Sequence, residues 1–199
     1  MKRTAGKFFI LLILFCTSVN AQQKTNLDII NNLIEKSVTK VDSILNVNKS
    51  INLSVTAPSS LELLKSKIFK SFQDNNYTLS ASSNESNPTV NYTLSTLKVE
   101  YKNPFSDGLF SSLLAEREIS LNSTFTITGI DKKINSYGFN ETKIDTVKLD
   151  EIHSLENPTL PFTQSEIPSS PLLSNLWEPI LVVGTLIITI VLLFSVRSK

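Results

Sequence analysis

The spacing of apolar residues changes several times along the chain, and each spacing predicts a different element. Between residues 25 and 46, apolar side chains recur every three or four positions, which is typical of one helical face. They are Leu27, Ile30, Ile34, Val38, Val41 and Leu45. A second set with helical spacing follows Pro58 and runs to about Gln73, with Ser59 and Glu62 at capping-box spacing. The pattern therefore predicts two amphipathic helices in the first half of the chain.

Alternation of apolar and polar residues predicts strands elsewhere. It occurs over residues 49–57 and, more briefly, over 77–81. Residues 90–101 alternate in two opposite phases, and a one-residue slip at Ser95 or Thr96 predicts a β-bulge. Further alternation predicts strands over 119–128, 134–139 and 147–152.

The order of these elements predicts the fold class. Helices gathered early beside an antiparallel sheet are typical of α+β proteins. We expect a two-layer sandwich of two helices on a mainly antiparallel sheet of about five strands, plus one C-terminal transmembrane helix. The β-α-β-β order is similar to small modules of outer-membrane assembly and transport systems, and no motif identifies a family.

The N-terminus has the layout of a signal peptide. Lys2, Arg3 and Lys7 precede a mostly apolar stretch of 12 residues, Phe8 to Val19. A small residue at Ala21 suits cleavage by signal peptidase. As a helix, this stretch spans only about 18 Å, which is shorter than the bilayer core. Residues 1–21 are therefore predicted to be removed, and an uncleaved membrane anchor is the alternative.

The C-terminus carries a longer apolar run. Residues 179–196 contain no charged side chain, and a helix of 18 residues covers about 27 Å. Trp177 lies at one border of the run, while Arg197 and Lys199 lie at the other. Indole rings favour the headgroup region, and positive charges favour the cytoplasmic side. The sequence predicts a single-pass type I protein with residues 197–199 inside and its bulk outside, at the periplasmic face of a bacterial inner membrane.

Composition divides the remaining chain into a domain and a stalk. Residues 22–153 hold the predicted α+β domain, and residues 154–178 are rich in proline without any periodicity. Such a segment is typical of an extended linker. Outside the two ends, 14 basic residues face 18 acidic ones, so the outer segment carries a net charge of −4. This balance argues against a nucleic-acid binder.

Residues suited to catalysis are few. The only histidine, His153, lies near Asp150, Glu151 and Glu156, where a carboxylate-rich metal site could form but an ordinary surface is the simpler interpretation. Asp145, Asp150 and His153 could alternatively serve a hydrolase. Glu116, Arg117 and Glu118 could form a functional charge cluster, but exposed ion pairs at a strand end are the simpler interpretation. The sequence predicts no catalytic residue, no cofactor and no metal site.

The segment 103–114 is unusually apolar for a connection between strands. Its candidate contact residues are Phe105, Leu109, Phe110, Leu113 and Leu114. Loops are normally polar, so this composition indicates either contact with a partner or bilayer, or a short helix folded over the core edge.

These features together predict a membrane-anchored extracytoplasmic protein that binds or scaffolds in the cell envelope and is not an enzyme. The lipid bilayer is its predicted contact through residues 179–196, and another envelope protein is a further candidate partner. An anchored hydrolase, and a structural anchor that associates through its membrane helix, are the alternatives. Ligand and oligomeric state do not follow from the sequence.

Overall fold

The computed structural model describes residues 23–45, 49–80, 86–106, 108, 111–169 and 177–197. The predicted signal peptide, Leu109, Phe110 and Lys199 lie outside these described residues.

The first helix, α1, spans Asn26–Leu45 and confirms the helix predicted there. Its start is fixed by a reciprocal cap, because the Asp28 amide donates to Thr25 Oγ1 at 3.2 Å and the Thr25 amide donates to Asp28 Oδ2 at 3.1 Å. The helix buries one apolar face. The buried apolar residues are Ile29, Ile30, Leu33, Ile34, Val38 and Val41.

The second helix, α2, spans Leu64–Asp74 and begins later than the sequence predicts. A 3₁₀ turn at Ser59–Leu61 precedes it, with the Leu61 amide donating to the Pro58 carbonyl at 2.9 Å. The predicted capping box is wrong, since Leu63 occupies the N-cap and makes no side-chain cap. Leu64, Ile68 and Phe72 form its buried apolar face.

Five strands form one mixed sheet in the order β2-β1-β3-β4-β5. The strands are β1 Ser50–Thr56, β2 Thr78–Ser80, β3 Thr89–Ser106, β4 Leu113–Thr128 and β5 Ile134–Lys148. The β1 strand runs parallel to both β2 and β3, whereas the long β3–β4 and β4–β5 pairs are antiparallel. The predicted α+β class and number of strands are confirmed.

The β-bulge predicted in β3 is confirmed. The register with β4 shifts between Leu94 and Thr96, so Ser95 has no partner. Before the bulge the even-numbered Val90, Tyr92 and Leu94 are buried, and after it the odd-numbered Val99 and Tyr101 are buried. The bulge therefore keeps one face of an 18-residue strand apolar along its length.

The last part of the sheet differs from expectation. A short strand over 134–139 and a separate strand over 147–152 are predicted, but β5 runs without interruption from Ile134 to Lys148 and pairs with β4 throughout. Apolar residues are sparse in its middle because β5 lies at the sheet edge, where few positions reach the core.

The core lies on one side of this sheet. Buried side chains alternate along β4, and α1 packs against β4, β5 and α2. One continuous cluster joins the helices and the strands. The opposite face of the sheet carries mainly polar side chains, among them Asn91, Lys98, Thr124 and Asn140.

The segment predicted as an extended stalk begins with a folded part. A one-turn helix, α3, spans Ile152–Leu155, and a 3₁₀ turn spans Pro161–Thr163. Leu155 and Thr163 are buried, and Phe162 and Ile167 pack against the core. An extended stalk from residue 154 is therefore wrong for this part, because apolar residues between the prolines return to the domain.

The fourth helix, α4, spans Trp177–Arg197. Its apolar side chains are exposed, as Ile180, Leu186, Ile190 and Phe194 illustrate. The side chains of this helix are described from Pro179 to Ser195. Among the described residues, no helix is long and apolar enough to cross a membrane. The predicted transmembrane helix over 179–196 thus finds no support at this level.

Candidate binding surfaces and polar clusters

The two ends of the apolar segment 103–114 are strand residues of a long hairpin, whereas a loop between strands is predicted there. Phe105 pairs with Leu114 and Ser106 with Leu113, so only a short connection remains between β3 and β4. Phe105 is 43% exposed, while Leu113 and Leu114 are half-buried. Residues 103–106 and 113–114 are strand residues, whereas Leu109 and Phe110 lie outside the described residues, so the choice between a covering helix and a contact surface stays open.

Arg117 is the main polar residue that sequence reasoning misplaced. The interpretation of Arg117 as an exposed ion-pair residue is wrong, because its side chain is 0% exposed. Its Nε and Nη2 atoms donate to the Asp145 carboxylate at 2.8 and 2.6 Å. Its Nη1 atom donates to the Lys24 carbonyl at 2.8 Å and to Asn26 Oδ1 at 2.9 Å. The alternation of Ala115, Ile119 and Leu121 with polar residues is the sequence signal that could have predicted the burial of Arg117, because position 117 falls on the same face of the strand.

Asn26 extends this network to the C-terminal part of the domain. Its Nδ2 atom donates to the Tyr101 hydroxyl and to the Thr163 carbonyl, both at 2.7 Å. Burial raises the pKa of Tyr101 to about 12, so its hydroxyl stays protonated at neutral pH. The network joins the start of α1, strands β3 to β5 and the segment after α3. All three guanidinium nitrogens of Arg117 donate hydrogen bonds to protein atoms, which fits a structural role rather than a catalytic one.

The three residues of the hydrolase alternative, Asp145, Asp150 and His153, have different surroundings. The Asp145 carboxylate is engaged by Arg117, whereas Asp150 and His153 are exposed. Among the residues that the structure describes, no three His, Cys, Asp or Glu side chains lie close enough to hold a metal ion.

A second polar cluster joins the end of α1 to the start of β2. Asp42 Oδ1 accepts hydrogen bonds from the Tyr77 hydroxyl at 2.7 Å and from Lys49 Nζ at 2.5 Å. The Lys49 ammonium also lies 4.5 Å from the centre of the Tyr77 ring. These hydrogen bonds, with Lys49 first, hold the pKa of Asp42 below its ordinary value of 3.8. Burial and Asp42 together raise the pKa of Tyr77.

The Asp42→Asn variant is expected to lose stability at neutral pH but little in strong acid. A carboxyl whose pKa is lowered by folding stabilises the fold above its ordinary pKa of 3.8, and this contribution disappears as the pH falls through the folded-state value. Thermal unfolding of both chains at about pH 7 and about pH 2 measures the difference. An equal gap in melting temperature at both pH values would contradict the assignment.

The polar face of the sheet contains a shallow depression of about 410 Å³ next to the β3 bulge. Its lining residues are Ser95, Asn122, Ser123, Thr124, Gly138, Phe139 and Asn140. Asn122 Oδ1 is buried there and accepts no hydrogen bond from a described residue. A side chain at Gly138 would extend into open space, so its absence leaves room above the strand. The lining is neutral, and it offers hydrogen bonds rather than acid–base chemistry.

The predicted membrane-border residues fall at the ends of α4. Trp177 is its first residue and Arg197 its last, while Lys199 lies outside the described residues.

No protein-family model matches the chain, and no curated protein matches it either. Several solved structures are similar in part. A minor lipoprotein from Acinetobacter baumannii shares 17% identity over 52% of this chain and 69% of its own, with a TM-score of 0.34. Rare lipoprotein B from Shewanella oneidensis shares 12% identity over 70% of this chain and 98% of its own, with a TM-score of 0.33.

A third solved structure is a protein from Helicobacter pylori described as a neuraminyllactose-binding hemagglutinin homolog. It shares 11% identity over 53% of this chain and 67% of its own, with a TM-score of 0.32. Identities and TM-scores at this level do not assign a family or a function to the chain.

Proposed function

We propose that this chain is a binding or scaffolding protein of the cell envelope, attached to a membrane through α4 and without a catalytic role. The observation that carries the proposal is the apolar surface of α4. Its exposed apolar side chains are Ile180, Leu181, Val182, Val183, Leu186, Ile187, Ile188, Ile190, Val191, Leu192, Leu193 and Phe194. Exposed apolar area costs about 25 cal/mol per Å² in water, so a helix of this kind requires an apolar environment.

Lipid is the environment that we propose, with α4 and the uncharged run 179–196 inserted across the bilayer. An apolar surface on all sides of a helix suits lipid, whereas a helix packed on a protein would need only one apolar stripe. Arg197 and Lys199 favour a cytoplasmic C-terminus, and the predicted signal peptide favours a domain on the periplasmic side.

The hydroxyl groups of α4 do not favour the alternative of a structural anchor that associates through this helix. The Thr185 hydroxyl donates to the Leu181 carbonyl, and the Thr189 hydroxyl donates to the Thr185 carbonyl, each within about one turn. Both hydroxyls are thus satisfied inside their own helix, which leaves them little to gain from a neighbouring helix.

Paired arginines in the middle of α4 are expected to abolish membrane attachment. Ile187→Arg with Ile188→Arg places two charges at the helix centre, at a cost of about 3 kcal/mol each. The unchanged full chain should stay in the membrane pellet after washing at alkaline pH, and this variant should leave it.

The matched control places the same charges at the helix end, as Phe194→Arg with Ser195→Arg. Long cationic side chains near a helix end can reach the interface, so this variant should remain attached. Solubility in non-ionic detergent separates insertion from aggregation. Release of the unchanged chain by the alkaline wash would refute the proposal.

A further inference from the structure

The outer edge of β5 is the least protected feature of the described sheet. This strand has 15 residues, contains no proline and pairs with β4 without a register shift. The opposite edge strand, β2, has three residues within the described part of the chain. Proteins usually shorten, bend or cover edge strands, because the unpaired backbone groups of an open edge bind other chains.

Two side-chain contacts show which backbone groups of β5 face outward. The Gly138 carbonyl accepts a hydrogen bond from Lys40 Nζ at 2.8 Å, and the Thr146 carbonyl accepts one from Gln23 Nε2 at 2.7 Å. In an antiparallel strand both backbone groups of a residue point to the same side, and the side alternates along the chain. The even-numbered residues therefore direct their amides and carbonyls away from β4.

The middle of this edge is open. Asn140, Thr142 and Ile144 lie between the two capped carbonyls, and their outward backbone groups bind no described residue. The side chains of Ser136, Gly138, Asn140 and Thr142 are small, so another strand could approach without steric conflict. The open stretch is long enough to form several hydrogen bonds with an added strand.

Helix α1 places positive charge along the same edge. It runs antiparallel to β5, since Lys36 pairs with Glu141 whereas Lys40, one turn later, reaches Gly138 and lies 5.9 Å from the centre of the Phe139 ring. Lys143 adds a further ammonium group on β5. Glu141 and Asp145 on the same face of β5 are paired with Lys36 and Arg117, whereas neither Lys40 nor Lys143 forms an ion pair with a described residue, so two uncompensated ammonium groups remain along this edge.

We propose that the β5 edge binds an extended segment of a partner protein that carries acidic side chains at alternate positions. The segment adds as a sixth strand, and its backbone pairs with the outward groups of residues 140–144. Alternate side chains of an added strand lie on the α1 side, where acidic groups meet Lys40 and Lys143. This surface deepens the proposed binding role and is independent of membrane attachment.

A second copy of the chain fits this edge less well than an acidic segment. A second β5 strand brings only carboxylates that are already paired within their own chain, since Glu141 binds Lys36 and Asp145 binds Arg117, whereas an acidic segment brings new carboxylates to Lys40 and Lys143.

The test uses the full chain in a non-ionic detergent and a capped peptide of about eight residues in which Glu alternates with Thr. A peptide with Lys in place of Glu is the control ligand. Binding is followed by calorimetry, and hydrogen exchange reports on the amides of Asn140, Thr142 and Ile144. The expected result is binding of the Glu peptide alone, with slower exchange at these three amides.

Two variants separate the backbone from the charge contribution. Thr142→Pro removes an outward amide without removing a bond to β4 and should abolish binding, whereas Thr142→Val should bind as the parent chain does. Lys40→Gln with Lys143→Gln should weaken binding about fivefold at low salt. Lys65→Gln with Lys67→Gln changes the charge equally on α2 and should have no effect.

Several outcomes would overturn the proposal. They are equal binding of both peptides, unchanged exchange of the three amides, and edge amides that are already protected in a dimer of the chain. If Thr142→Pro fails to fold, the double lysine variant at the edge and its control on α2 test the proposal by themselves. Membrane attachment is measured separately, so its failure would not be confused with failure at this edge.

Discussion

Replacing Arg117 with Met is expected to lower the free energy of unfolding by about 2–4 kcal/mol. The guanidinium is fully buried and binds Asp145 through two nitrogens, so its removal leaves the carboxylate without a counter-charge. The Asp145 side chain is 32% exposed, so water partly compensates this charge and the loss is smaller than for a fully buried pair. The Lys24 carbonyl and Asn26 Oδ1 lose a donor as well. Urea denaturation of both chains measures the difference.

Lys102→Met is the matched control for the arginine variant. Lys102 also lies in the sheet and binds two carboxylates, those of Glu100 and Glu118, but it is solvent-exposed. Exposed ion pairs contribute about 0–1 kcal/mol, so this substitution should have a small effect. Equal losses in the two variants would show that Arg117 does not hold the domain together.

Phe72→Ala is expected to cost about 3–5 kcal/mol of stability. The ring is fully buried and meets Tyr77 and Tyr92 edge-to-face, with centroid distances of 5.6 and 6.4 Å. Its loss opens a cavity between α2 and the sheet and removes both aromatic contacts. The same denaturation experiment measures the effect.

Phe105→Ala makes the same chemical change at the end of the β3–β4 hairpin. Because this ring is 43% exposed, we expect a loss below about 1 kcal/mol. A loss as large as that of Phe72→Ala would mean that the hairpin end belongs to the core. A small loss would leave the ring available for contact with a partner, which is one of the two interpretations of the sequence.

Local spacing predicted much of the fold. The three- and four-residue repeats located α1 within a residue or two, and the change of phase in residues 90–101 located the bulge at Ser95. These features depend on neighbours in the chain, which a sequence displays directly. The middle of β5 was missed because its residues alternate weakly, and its strand conformation comes from pairing with β4.

The polar contacts could not be predicted in the same way. Glu116, Arg117 and Glu118 are all charged, and their charge alone does not show which side chain is buried. Only Arg117 points into the core, where it meets Asp145 and the start of α1. The segment after residue 153 likewise reads as a polar, proline-rich linker, although Thr163 is buried beside Asn26. The burial of Arg117 and of Thr163 depends on contacts with residues that are distant along the chain.

Periodicity and composition are local properties, so the amino-acid pattern alone predicts the helices, most strands, the bulge, the apolar run of α4 and the charge at the two ends. The fold was needed to show that the buried Arg117 binds the partly exposed Asp145, that residues 152–167 complete the domain, and that β5 is a long edge flanked by lysines of α1. Burial, pairing and edge position depend on which distant segments the fold places side by side.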